Sequence, residues 1–171
     1  ITIVRQDKAI QSGDTRKAVD LVEAKVLPYF DFAHMTRLAV GKDWRQASAE
    51  QKTVLTHEFK NLLVRTYSNA LTQYRNQHID FKPLKAKPED TDVVVRTEVR
   101  QPGAKPVQID YNLEKQGDNW KVYDVMVAGV SLVTNYRDSF GQEVRNGGIE
   151  GLIKSLKDKN KQLDATVSAK K

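Results

Sequence analysis

At Gln77 the apolar pattern of this chain switches from helical spacing to strict alternation, and few folds accommodate such a switch. Upstream, Leu55, Phe59, Leu62, Leu63, Tyr67, Ala70, Leu71 and Tyr74 recur at intervals of three and four. Gln51, Lys52, Thr56, Lys60, Asn61 and Asn69 fill the positions between them. One face of the helix is therefore oily and the other polar. Ser48-Ala-Glu-Gln51 has capping-box spacing: the hydroxyl takes an orphan amide and the glutamine reaches back. The pattern predicts one helix from Ser48 to about Gln77, ~45 Å long at ~1.5 Å per residue.

Downstream the period is two. Ile79 and Phe81 alternate up to Pro83. Val93, Val95, Thr97 and Val99 alternate with Val94, Arg96, Glu98 and Arg100. Val107, Ile109, Tyr111 and Leu113 alternate with Gln108, Asp110, Asn112 and Glu114. These are half-buried antiparallel strands. Pro102-Gly103 and Gly117-Asp118-Asn119 supply the hairpin turns. Trp120 to Val127 is apolar on both faces and predicts a central strand.

Helices flank this block. Ala9 to Val26 carries an apolar stripe (Ala18, Val19, Leu21, Val22, Val26) that ends before Pro28. Asp31 to Val40 reads as a shorter helix stopped by Gly41. Val130 to Arg145 reads as helical, Gly147-Gly148 as a break, and Ile149 to Leu156 as a last short helix. The polar stretch 157–171 predicts a frayed tail. Helices, about four antiparallel strands and more helices make an α+β layer, a curved sheet packed on the long helix. The 171 residues predict a single domain, 1–171. A twisted sheet curling round a helix leaves a cone, which becomes a pocket where side chains do not fill it.

Composition narrows the chemistry. Cysteine is absent, which excludes disulfides, thiol catalysis and cysteine metal sites. No apolar run approaches the ~18–20 residues of a spanning helix. The net charge of +6 suits an anionic headgroup or an acidic partner as well as nucleic acid. The clearest basic clusters, Lys82, Lys85 and Lys87 and the stretch after Lys154, have no interleaved aromatics, which argues against nucleic acid.

Reactive motifs fail one by one. His57-Glu58 opens like H-E-x-x-H, but its fifth position is Asn61. Asp31 and His34 can share a helix face, yet the sequence offers no third metal ligand. Gly129-Val-Ser131 is half of a nucleophile elbow, and a serine before an apolar run is more often a helix cap. Asp124, mid-strand between Val122 and Met126, is the one acid placed for burial. It either acts as a base of raised pKa or bonds a loop group structurally.

The wording of the chain adds a resemblance. YFDF at 29–32, MTRLAVGK at 35–42, then WR, EQ, EF, LLVRTYS and AL up to Leu71 closely resemble the MlaC family, also called the toluene-tolerance or phospholipid-binding family. WKVYDV at 120–125, GVSLV at 129–133, NYR at 135–137 and Phe140 resemble that family's second signature. The resemblance runs from about Val19 to Lys159. It departs at Ala128, where the family often has an acidic residue, and between Ile79 and Pro106 it rests on strand pattern alone.

The resemblance implies an NTF2-like cone, with added helices, that holds acyl chains. It implies a periplasmic carrier, its export signal removed, that shuttles glycerophospholipid and so maintains outer-membrane lipid asymmetry. The implied partners are an outer-membrane lipoprotein–porin complex and an inner-membrane ABC transporter with an MCE-type subunit. The lipid is cargo, and no cofactor is implied. The expected lining from the helices is Phe30, Phe32, Met35, Leu38, Phe59, Leu62, Leu63, Tyr67 and Leu71. From the sheet it is Val95, Val99, Ile109, Tyr111, Leu113, Val125 and Val127, with Val130, Leu132, Val133, Tyr136 and Phe140 closing the end. The alternative is an NTF2-like small-molecule enzyme using Asp124 as its base.

Overall fold

The computed structural model describes residues 2–168. The chain begins with three helices, α1 (Thr2–Gln6), α2 (Lys8–Gln11) and α3 (Thr15–Lys25). The single helix expected over Ala9–Val26 is broken at residues 12–14, and local chemistry explains the break. Asp7 caps α2 by accepting the Ala9 and Ile10 amides, and Asp14 caps α3 by accepting that of Lys17. Between them Gly13 takes φ +102°, a conformation open to glycine and costly elsewhere. Val4, Ile10 and Ala18 close a small core beneath these helices, joined by Leu21, Leu71 and Tyr74.

A 3₁₀ turn at Leu27–Tyr29 leads into α4 (Phe32–Val40), capped by Asp31 and ended at Gly41. The capping box is formed as expected: the Ser48 amide donates to Gln51 Oε1 at 2.9 Å, and the Gln51 amide to Ser48 Oγ at 3.1 Å. It opens α5 (Ala49–Tyr67), which stops about ten residues short of the predicted end, at ~28 Å. A bend at Ser68 separates it from α6 (Asn69–Thr72). There the amides of Leu71, Gln73 and Tyr74 reach back three residues instead of four. Thr72 Oγ1 bonds both the carbonyl and the side chain of Asn69. Such side-chain bonds compete with the helical ladder.

Five antiparallel strands follow in simple chain order: β1 (His78–Phe81), β2 (Asp92–Arg100), β3 (Val107–Gln116), β4 (Asn119–Val127) and β5 (Val130–Ser131). The two-residue β5 occupies the predicted start of a helix. Its turn, Ala128-Gly129, has positive φ at both positions (49° and 82°), which matches the right-handed strand twist. The residue that departs from the family pattern thus sits where an L side chain is strained. The strand expected to be central, β4, lies fourth of five. Its free edge is covered instead by an isolated parallel bridge to Phe30, where the Asp31 amide donates to Val122 O at 2.9 Å. A bulge opposite Asn112/Leu113 makes Tyr123 the extra residue of β4.

After a 3₁₀ turn at Thr134–Tyr136, α7 (Arg137–Ser168) runs to the end of the described residues, kinked at Gly148 with φ +68°. The main core lies between α4, α5 and α7. Phe59 meets Tyr136 and Phe140 edge-on, with both ring centroids at 5.3 Å, and Leu55, Leu152 and Leu156 are fully buried beside them. Residues 157–168, expected to fray, continue this helix; 169–171 lie outside the described residues. Buried Asn160 donates to Glu58 O and Glu58 Oε2 at 2.9 and 2.8 Å, and Arg65 pairs with Asp164 at 2.5 Å. Asn160→Ala is therefore expected to cost about 1–3 kcal/mol, the range for losing hydrogen bonds at a buried site. Thermal denaturation should show a drop of several degrees; a frayed tail gives no change.

Candidate functional site

The C-terminal end of α3 with the turn after it, the start of α4 and the end of α5 stand away from β3 and β4 and leave a cavity of about 260 Å³. Each wall has a local cause. Val22 and Val26 come from the inner stripe of α3, and Leu27 from the turn that Pro28 enforces. Phe30, Phe32 and Met35 come from the bridge and first turn of α4, the two rings lying 5.9 Å apart. Leu63, Val64, Tyr67, Ser68 and Leu71 line the bend between α5 and α6. Tyr111 and Val125, directly paired across β3 and β4, form the sheet side, and Leu132 closes it. Val26 and Tyr67 are 37% and 38% exposed and mark the mouth.

Among the described residues that line the cavity there is no charged side chain. The polar side chains there are the hydroxyls of Tyr67, Ser68 and Tyr111. Burial pushes the Tyr111 phenol above its ordinary range, so it stays a neutral donor. Behind the wall, burial and then the neighbouring Tyr67 raise Tyr136 to about 12. Such a cavity can solvate hydrocarbon and offer a few hydroxyl donors; it offers neither a base nor a charge to a reaction.

The sequence-predicted residues separate into four places. Phe30, Phe32, Met35, Leu63, Tyr67 and Leu71 line the cavity from the helices, Tyr111 and Val125 from the sheet, and Leu132 at its closing end. Phe59, Leu62, Val133 and Phe140 are buried in the helical core, with Leu38 and Tyr136 packed against it. Val95, Val99, Ile109, Leu113 and Val127 share the sheet face of Tyr111 but lie beyond the wall. Val130 is 54% exposed on β5. The sequence reading missed Val22, Val26, Leu27, Val64 and Ser68. The stripe on α3 was visible, but nothing in it showed that it faces a cavity. Ser68 carries no periodic signal at all.

Asp124 does not reach the cavity. It immediately precedes Val125, pairing with Asn112 where Val125 pairs with Tyr111, and so points to the opposite sheet face. Ser131 Oγ donates to its carboxylate, at 2.9 and 2.7 Å from the two oxygens, and the Val125 amide lies 2.8 Å from Oδ1. Ser131 Oγ in turn accepts the amides of Val133 and Thr134. The pair thus caps the turn into α7. Asp31 and His34 do gain a third neighbour, Glu114, with ligand atoms within 4.8 Å of one another. These groups already satisfy each other: Asp31 caps α4 and takes Gln116, and His34 meets Glu114 at 3.0 Å while stacking on Tyr123 at 4.4 Å. The cluster clasps α4 to β3 and β4.

Fold and site together define a small sheet-and-helix protein built round an uncharged apolar cavity with an open mouth. The family model described as MlaC protein matches residues 1–158, and the chain belongs to that family. A solved structure covering 95% of this chain and 91% of its own has TM-score 0.87 and 39% identity. It is the phospholipid-binding protein from Ralstonia solanacearum in complex with a phospholipid. The intermembrane phospholipid transport system binding protein MlaC of Haemophilus influenzae is 27% identical over 145 residues, 83% of this chain and 68% of that protein. The toluene tolerance protein ttg2D of Pseudomonas putida is 34% identical over 105 residues, 61% of this chain and 48% of that protein.

Asp124→Asn leaves the cavity wall intact but weakens a charge-assisted bond. We expect a loss of about 1–3 kcal/mol in denaturant unfolding with ligand retention unchanged. Loss of ligand from a stably folded variant would contradict this placement.

Proposed function

We propose that this chain, acting as one lipid-binding domain, is a carrier of glycerophospholipid. The observation that supports this most is an uncharged, open-mouthed cavity in a member of a family with a phospholipid-bound relative of the same fold. In this reading the carrier works in the periplasm, between an outer-membrane lipoprotein–porin complex and an inner-membrane ABC transporter with an MCE-type subunit. It is not an enzyme and needs no cofactor. The sheet and helices form an NTF2-like cone.

Physical arithmetic shapes the mechanism. Two chains of about fifteen methylenes are worth roughly 24 kcal/mol against water, at ~0.8 kcal/mol per methylene. The donor and acceptor are apolar as well, so nearly all of that cancels. What the protein contributes is a small difference between pocket and partner, and a lower barrier between them. The cavity of about 260 Å³ lies just under the ~300–1,000 Å³ usual for ligand pockets, so cargo widens it on loading. Helix α3, resting on the smaller core, is the wall that yields.

Protein purified without detergent should carry phospholipid at close to one molecule per chain. Native mass spectrometry followed by denaturing extraction checks this, and an extract free of lipid refutes the carrier reading. Leu63 forms both core and cavity wall at 7% exposure. In Leu63→Trp the indole has the cavity to enter, so lipid occupancy falls while the melting temperature moves little. Full occupancy with a loss of several degrees, from overpacking worth about 1–3 kcal/mol, would mean that this position is core alone.

A further inference from the structure

Ser68 is 3% exposed, and its Oγ has no hydrogen-bond partner among the described residues. That is unusual: a helical serine commonly returns its hydroxyl to the carbonyl four residues back. Here the Ser68 amide donates to Val64 O at 2.9 Å, as a helical amide does, but the hydroxyl does not join it there and donates to no described group. A buried polar atom without a partner is costly and rare enough to need a reason. The bend between α5 and α6 supplies one by setting this residue into the cavity wall, among Leu71, Val64 and Val125. The other buried side-chain atom of this kind, Asn160 Oδ1, belongs to a residue bound to Glu58 and away from the cavity.

We propose that Ser68 Oγ donates a hydrogen bond to an ester carbonyl of the bound lipid, and so selects ester-linked acyl chains. The proposal rests on the carrier reading and deepens it. Position along the cavity favours this group over others. Ser68 directly follows Tyr67, which is 38% exposed at the mouth, yet is itself sealed to 3%, so its hydroxyl lies inside the rim and one residue from it. A lipid held tails inward places its headgroup outside and its two ester carbonyls just within the mouth. These are the acceptors nearest a buried hydroxyl at that depth. The phosphate, being charged, stays with solvent because the wall offers it no cation. A hydroxyl also serves better than a charge here, since it rewards an ester without holding the headgroup back at transfer.

The test compares diacyl phosphatidylglycerol with its dialkyl ether analogue of equal chain length, each displacing a fluorescent lipid from delipidated protein. The ether lacks the carbonyls and keeps everything else. Wild type should favour the ester by about 3- to 10-fold, the span of one net hydrogen bond. Ser68→Ala should lose that preference by weakening for the ester alone, Ser68→Thr should retain it, and lipid-free Ser68→Ala should melt at or above wild type. Equal binding of ester and ether by wild type would overturn the proposal, leaving the hydroxyl to a trapped water. An undiminished preference in Ser68→Ala would overturn it too. If neither lipid displaces the probe, the carrier reading itself fails, and this proposal with it.

Discussion

The backbone bridge between Phe30 and Val122 sets where the helices meet the sheet. Asp31 reinforces it from both sides, donating its amide to Val122 O and capping α4 with its carboxylate. His34, one turn on, stacks against Tyr123 and pairs with Glu114. Because α4 is fastened at this end, its first turn stands over β4, and Phe30, Phe32 and Met35 can wall a cavity there. The bridge and the clasp of Asp31 and His34 on Gln116, Glu114 and Tyr123 together hold those rings above Val125 and Leu132. The bulge at Tyr123 belongs to the same device, since it turns the ring toward His34 and gives Val122 to the bridge.

The cavity and the core draw on one stripe of α5. Phe59 and Leu62 spend it on α7, whereas Leu63 and Tyr67 also face open space. The division follows from partners. Phe59 meets two rings of comparable size, Tyr136 and Phe140, and close packing results. Past Leu63 the opposing surface is the strand pair β3 and β4, with Tyr111 and Val125, and the concave sheet recedes from the helix. Where aromatic rings interlock the structure is dense. Where a curved sheet faces a helix end it is hollow.

Much of the architecture could be read from the residues. The capping box at Ser48, the stop at Gly41, the alternation of β2 and β3 and the break at Gly148 all follow from local chemistry that a sequence displays. The errors have physical reasons too. Apolar residues continue past Tyr67, but local bonding by Asn69 and Thr72 ends the helix there. Residues 157–164 look fit only for solvent, yet Asn160 and Asp164 find Glu58 and Arg65 about a hundred positions away. Strand β4 lies fourth of five, paired with β3 along its length, with β5 only at its end and with Phe30 at Val122, so its apolar run marks an interior strand and not the middle of the sheet. For the site the limit is sharper. Periodicity identifies which face is apolar; it carries no information on whether that face meets atoms or space.

The polar end of α7 has a mechanical consequence. By bonding Glu58 and Arg65 along α5, it braces the half of the molecule that does not need to move. The opposite side, α3 on its base of α1 and α2, rests on the small cluster of Val4, Ile10 and Ala18 and on hydrogen bonds of Arg5 to Gln77 and of Arg75 to Gln11. Regions with few buried contacts open locally at far less free energy than the whole protein requires. The molecule is thus stiff on one side and compliant on the other, like a hinge plate with a sprung leaf. Cargo exchange on such a body draws on the leaf's local opening energy and not on the larger free energy of unfolding the braced half.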